Sequence, residues 1–223
     1  MNITKNIQRI KSQIPDHVTI VGVTKYVDTA VAEELFQNGI THLGENRADV
    51  FLEKFNTFSI QTEDNLNTRN IQPTWHFIGS LQTRKVKDVI NKIDYLHSLD
   101  RLALADEIQK RAANRVKCFV QVNVMGEDSK HGLQPDALMD FISQLANHDK
   151  IEVVGLMTMA PDTDDDLMIR SCFSGLKRLQ KKVQEMALKH APCMELSMGM
   201  TNDYQIAIEE GATFVRLGRC LIE

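Results

Sequence analysis

About eight short apolar runs recur along the chain with helix-like stretches between them, and this alternation constrains the fold more than any other feature. The runs are Val18 to Val23, Thr41 to Gly44, Trp75 to Gly79, Tyr95 to Leu99, Cys118 to Val124, Val153 to Thr158, Met194 to Ser197 and Phe214 to Leu217. Helical patterns fill the gaps at Thr29 to Gly39, Arg47 to Phe55, Thr83 to Asn91, Asp100 to Ala112, Pro135 to Ala146, Asp165 to Lys189 and Asn202 to Gly211. In the first of these Thr29 is placed to cap the start and Gly39 to end it. Strand followed by helix, with no hairpin between strands, gives a parallel sheet. Eight such units predict an α/β fold, a closed (β/α)8 TIM barrel. No G-x-G-x-x-G follows the first strand, where Thr24-Lys25-Tyr26-Val27-Asp28 stands instead, which argues against an open doubly wound sheet. Residues 3 to 13 form an additional helix ahead of the first strand. Five residues follow Gly218, so no full helix is expected after the eighth.

The 223 residues are 43% hydrophobic and 25% charged, enough to bury a full core in one domain spanning 1–223. The polar segment Phe58 to Pro73 reads as an insertion loop, because the rhythm of strands and helices continues on both sides. A net charge of −4 offers no general attraction to nucleic acid or to anionic membranes. Cys118, Cys172, Cys193 and Cys220 are scattered without a C-x-x-C pair, so they are expected as reduced, mostly buried thiols. The histidines have no metal-ligand spacing, and Asp162 to Asp166 reads as an acidic loop and helix start. With no signal-peptide pattern and no membrane span, a cytoplasmic protein is expected.

Chemistry is expected at the carboxyl ends of the strands, where barrels gather their ligands. Lys25 ends the first apolar run, so its amine either snorkels to solvent or stands at the barrel mouth as a nucleophile toward an aldehyde. The turns Ser197 to Thr201 and Gly218-Arg219 end the last two strands, where hydroxyls, backbone N–H groups and a helix start favour a phosphate. Strands one and eight are neighbours in a closed barrel, so both turns lie beside Lys25. Arg216 sits in an apolar strand and needs an acceptor, either a ligand or a carboxylate such as Glu45 or Glu195. Asn46 follows the second strand as a ligand contact or a helix N-cap. His76 alternates with Trp75 and Phe77, as a ligand contact or a satisfied core histidine.

These residues resemble the pyridoxal 5'-phosphate (PLP) homeostasis family, the YggS/PROSC-like proteins. The matching stretches are V-T-K from Val23 to Lys25, H-L-G-E-N from His42 to Asn46, W-H-F-I-G-S-L-Q from Trp75 to Gln82, and D-S-K-H-G-L from Asp128 to Leu133. They continue with G-L-M-T-M-A-P from Gly155 to Pro161, L-S-M-G-M-T from Leu196 to Thr201 and V-R-L-G from Val215 to Gly218, and so run from the first strand to the last. The resemblance implies a single-domain barrel like the N-terminal domain of alanine racemases, with PLP held as a Schiff base on Lys25. It places Asn46 near the cofactor ring, Arg216 at the pyridine nitrogen, and Ser197, Thr201, Gly218 and Arg219 around the phosphate. It further implies a PLP carrier in vitamin B6 homeostasis, with apo PLP-dependent enzymes as recipients. Two positions depart from the pattern. Thr201 stands where relatives often have Ser, and Arg219 replaces a Thr common in the family.

A racemase needs an acid/base group on each face of the substrate carbon. Lys25 serves one face. Tyr26 is expected to point away from it, Tyr95 lies within another strand, and Tyr204 lies on a helix near the phosphate turn. A cation at Arg216 also disfavours protonation of the ring nitrogen and weakens it as an electron sink. The reading is therefore a reversible carrier, with no residue assigned a catalytic role; a monomer is expected. A weak PLP-dependent amino-acid racemase is the alternative, and a Schiff-base aldolase acting through Lys25 a further one.

Overall fold

The computed structural model describes residues 2–64, 72–127 and 131–223. The expected barrel is present. Strands β1 (Thr19–Val23), β2 (His42–Glu45), β3 (Thr74–Phe77), β4 (Tyr95–Leu99), β5 (Val116–Gln121), β6 (Ile151–Met157), β7 (Glu195–Ser197) and β8 (Phe214–Leu217) pair in chain order, all parallel, and β8 closes on β1. Around them run α2 (Thr29–Gln37), α3 (Ala48–Asp64), α4 (Val86–Val89), α5 (Leu102–Arg111), α6 (Leu138–Gln144), α7 (Asp166–Glu185) and α8 (Tyr204–Glu209). The helix ahead of the first strand is α1 (Ile3–Lys11), which buries Ile3, Ile7 and Ile10 at helical spacing. It packs on a single turn after the eighth strand, α9 (Arg219–Ile222), where Asn6 donates to the carbonyl of Leu221 at 3.4 Å.

Two local expectations change. The helix at residue 29 is capped by Asp28 and not by Thr29, because the Asp28 carboxylate accepts from the N–H of Val31 at 3.0 Å. Gly39 follows this helix at φ 86°, as expected of a glycine that ends one. The segment Phe58 to Pro73 begins as helix and not as loop, since α3 runs on to Asp64. The stripe Phe51, Phe55, Phe58 explains this: Phe51 and Phe58 both meet Trp75 edge-on, at 5.4 and 5.5 Å between centroids, which extends the apolar face into the polar segment. Residues 65–71 of that segment lie outside the described residues, as do Asp128, Ser129 and Lys130 of the quoted D-S-K-H-G-L stretch.

Strand alternation sends side chains to two separate cores. Outward-facing residues such as Leu43, Trp75, Leu96 and Val153 pack under the helices. Inside the barrel the apolar set is small: Val21, Phe119, Met157 and Phe214. Three histidines share that interior. His76 stacks on Tyr95, with centroids 4.6 Å apart and planes at 3°, and His97 stacks on Phe119 at 4.4 Å. The four cysteines are free, and burial raises the thiol of Cys193 to about 12, so it is inert at neutral pH. Among the described residues no helix is long and apolar enough to cross a membrane, and no cluster has the makings of a metal site.

Candidate functional site at the barrel mouth

Lys25 stands two residues past β1, on a turn closed by Val27 N–H to Thr24 O at 3.1 Å. It is half-buried, and its Nζ lies 4.7 Å above the ring of Tyr26, which is 86% exposed. The two side chains therefore meet, contrary to the expectation that Tyr26 points away. Strand alternation ends at Val23, so it does not govern the turn.

Behind this turn lies a buried cluster that the sequence reading missed. Lys54 Nζ, from α3, donates to Glu45 Oε1 at 2.6 Å and to the carbonyl of Thr24 at 2.7 Å, while Thr24 Oγ1 donates to the same carboxylate oxygen at 2.5 Å. Both charged side chains are almost fully enclosed, 3% and 0% exposed, and Glu45 Oε2 has no hydrogen-bond partner. Lys54 thus fastens the residue that precedes Lys25. The available signal was its position on the helix, between Phe51 and Phe58 on the face turned to the barrel.

Arg216 lies in β8 with its side chain turned inward. Its Nη1 donates to Ser197 Oγ at 2.7 Å and its Nη2 to the carbonyl of Thr158 at 2.9 Å. No ion pair joins it to Glu45 or Glu195 among the described residues, and Glu45 is instead committed to Lys54. Burial lowers this guanidinium to about 10, opposed by the charge of Asp203. It still carries its charge at neutral pH, and its other N–H donors have no partner among the described residues.

The two glycine turns meet as expected. Gly199 has φ 93°, and a Cβ there would come 2.6 Å from that of Ala207, so only glycine serves. Its carbonyl accepts from Arg216 N–H at 2.9 Å, and Thr201 Oγ1 reaches Cys220 Sγ at 3.5 Å, which ties the first turn to the second. A Cβ on Gly218 would lie 3.4 Å from the carbonyl of Val23, which puts this turn against the end of β1. Thr201 and Gly218 are half-buried and Arg219 is exposed. Asn46 links β2 to α3, half-buried, and its side-chain amide makes no hydrogen bond among the described residues, so the N-cap alternative is not realised. Gly79 packs so closely on the Asn46 backbone that any Cβ would overlap it.

Two of the expected site residues are fully buried. His76 is not at the mouth: it is fully buried, and its ring nitrogens are both engaged, with His97 at 2.8 Å and His42 at 2.9 Å, leaving none for a ligand. Ser197 is fully buried, and its hydroxyl is shared between Arg216 and His97, so it supports the guanidinium.

An amine, a buried guanidinium and glycine-lined turns at the carboxyl ends of eight parallel strands define a lysine-bearing (β/α)8 barrel. The model of the alanine racemase N-terminal domain matches residues 1–222. The pyridoxal phosphate homeostasis protein of Aquifex aeolicus is 38% identical over 208 residues, which is 91% of this chain and 85% of that protein. The protein of the same name from Pasteurella multocida is 33% identical over 98% of this chain and 93% of its own length. Among solved structures, PipY of Synechococcus elongatus PCC7942, with PLP bound, superposes with a TM-score of 0.85 at 27% identity, covering 99% of this chain and 100% of that one. Alanine racemase of Clostridium difficile 630 shares the fold, with a TM-score of 0.79 at 19% identity, over 99% of this chain and 58% of the enzyme. The chain belongs to the alanine racemase N-terminal domain family and, within it, to the pyridoxal phosphate homeostasis proteins.

Proposed function

We propose that this chain binds PLP at the barrel mouth and acts in cytoplasmic PLP homeostasis as a reversible carrier, without efficient catalysis of its own. Apo PLP-dependent enzymes are the recipients in this reading, and a monomer is the working unit. The carrying observation is that Lys25, just past β1, and the buried Arg216, in the adjacent strand β8, stand at the end of the barrel that also holds the two glycine turns. The donor set fits the cofactor: one primary amine for the aldehyde, free N–H donors on Arg216 for the ring nitrogen, the unpaired Asn46 amide beside the ring, and Thr201, Gly218 and Arg219 for the phosphate. When bound, PLP supplies an aldehyde that an amine captures reversibly and a ring that withdraws electrons.

The chain's own residues favour holding over turnover. Arg216 keeps a positive charge at the ring nitrogen and so opposes its protonation. No tyrosine faces Lys25 from across the mouth: Tyr26 covers the lysine from the same turn, Tyr204 donates to Gln13 Oε1 at 2.6 Å, and Tyr95 is stacked on His76 inside the barrel. The test is PLP titration followed by incubation with L- and D-alanine in deuterium oxide. Saturable visible absorption with negligible α-deuteration is expected. Rapid α-deuteration with racemisation, lost in Lys25→Ala, would replace the carrier by the racemase.

Thr201 gives a narrower test. Replacing it with Val is expected to weaken PLP binding by about 1.5–3 kcal/mol, the range for a hydrogen bond to a charged group, or about 10- to 150-fold. Pyridoxal, which lacks the phosphate, should bind the parent and the variant alike. Equal losses for both ligands in calorimetric titration would move the phosphate away from this turn.

A further inference from the structure

One continuous line of hydrogen bonds runs from Arg216 through the inside of the barrel to the opposite end. Arg216 Nη1 donates to Ser197 Oγ at 2.7 Å, and Ser197 Oγ lies 2.9 Å from His97 Nδ1. His97 Nε2 lies 2.8 Å from His76 Nδ1, and His76 Nε2 lies 2.9 Å from His42 Nδ1. Ser197 ends β7 while His42 begins β2, so the line descends from the carboxyl ends of the strands to their amino ends. Ser197, His76 and His97 are fully buried. His42 is half-buried and borders a cavity of about 340 Å³ at the amino ends, beside Asp16, Thr19 and Thr41.

The chemistry of the groups fixes the direction of every link. A guanidinium only donates, so Ser197 Oγ accepts from Arg216. The Ser197 hydroxyl then has one proton left to place, and the acceptor within reach is His97 Nδ1. A neutral imidazole has one N–H and one acceptor nitrogen. His97 must therefore carry its proton on Nε2 and donate to His76 Nδ1; His76 in turn donates from Nε2 to His42 Nδ1, and His42 keeps its own proton on Nε2, outside the line. In the reverse polarity Ser197 would receive two donors and its own proton would be stranded in the core without an acceptor. Neutral rings are also what burial dictates, since desolvation pushes His76 and His97 well below the usual imidazole range. His42 is lowered too, with Asp94 opposing and Lys117 adding to the effect.

We propose that His97, His76 and His42 are positioning residues for Arg216: the one-way line holds Ser197 as an acceptor toward the guanidinium and leaves the remaining donors of Arg216 for a ligand at the mouth. Each link that donates onward is a better acceptor behind it, so the line acts cooperatively on its first member. The effect on ligand binding rests on the PLP reading of the mouth; the proton positions do not.

The experiment has two arms for that reason. In the first, the unliganded protein labelled with ¹⁵N-histidine is expected to show His42, His76 and His97 neutral and protonated on Nε2 at neutral pH. Any of the three protonated on Nδ1 overturns the proposal, whatever the protein binds. The second arm compares His76→Gln, whose amide both accepts and donates, with His76→Leu, which does neither. His76→Leu is expected to speed hydrogen exchange of the Arg216 guanidinium and to weaken PLP binding about tenfold, the loss of roughly one hydrogen bond, with a shifted visible maximum; His76→Gln should restore all three. A folded His76→Leu with parental Arg216 exchange overturns the proposal. If that variant fails to fold, His42→Phe at the half-buried end breaks the last link, and the same exchange readout decides. A parent protein that binds no PLP would refute the cofactor reading while leaving the ¹⁵N and exchange results to decide this one.

Discussion

Lys25→Ala is expected to abolish covalent capture of PLP altogether. In the parent, borohydride treatment of the PLP-loaded protein followed by peptide mapping should place a stable adduct on Lys25. In the variant the visible band should be absent and no lysine should take over. The structure gives the reason for the second half of this expectation. Lys54 is the other amine close to the mouth, but its Nζ is 2.6 Å from the Glu45 carboxylate and 2.7 Å from the Thr24 carbonyl, and its side chain is 3% exposed. An ammonium held by a carboxylate has no free electron pair to attack with, and no path to the ligand. Lys25 is half-buried, with the ring of Tyr26 over its amine. Residual binding in the variant should come from Thr201, Gly218 and Arg216 and should show the spectrum of a free aldehyde. An adduct mapped to any lysine other than Lys25 would sink the assignment.

The barrel was legible because period and punctuation are local properties: each β-strand is a short apolar run, each helix has its own stripe, and no glycine signature interrupts the first turn. Lys25, Arg216, Asn46 and the two glycine turns were legible for a related reason, since their strand-end positions follow from where each run stops. What stayed hidden depends on which residues face one another across the barrel. Ser197 and His97 are 100 positions apart, and nothing local in either strand says that their side chains meet. Read along the chain, Ser197 looked like part of an anion cup, and His76 stood open between a ligand contact and a satisfied core histidine. Here the apolar interior is limited to Val21, Phe119, Met157 and Phe214 with their neighbours, and the histidine line fills the space beside them. The helical start of the polar segment was hidden differently. Its composition resembles a loop, and only the contact of Phe58 with Trp75 reveals the helix.

Lys54→Met is expected to destabilise the fold by about 3–5 kcal/mol, the usual cost of removing one member of a buried ion pair and leaving the other charge unpaired. The mechanism is specific here. Glu45 is wholly enclosed, and its Oε2 already lacks a partner, so loss of the ammonium leaves Oε1 with the Thr24 hydroxyl alone. Replacing both partners, as Lys54→Met with Glu45→Leu, should recover most of the loss, because apolar side chains of similar volume carry no desolvation penalty. Urea unfolding of the two single variants and the double variant separates the pair energy from packing in one thermodynamic cycle. PLP binding should not recover in parallel. Lys54 also holds the carbonyl of Thr24, the residue before Lys25, and the double variant leaves that carbonyl without its donor. A double variant with parental stability but weakened PLP binding would assign Lys54 two separable tasks, one in the core and one in placing Lys25. A Lys54→Met protein as stable as the parent would mean that Glu45 is hydrated or protonated in the fold, and the ion-pair account of this corner would fail.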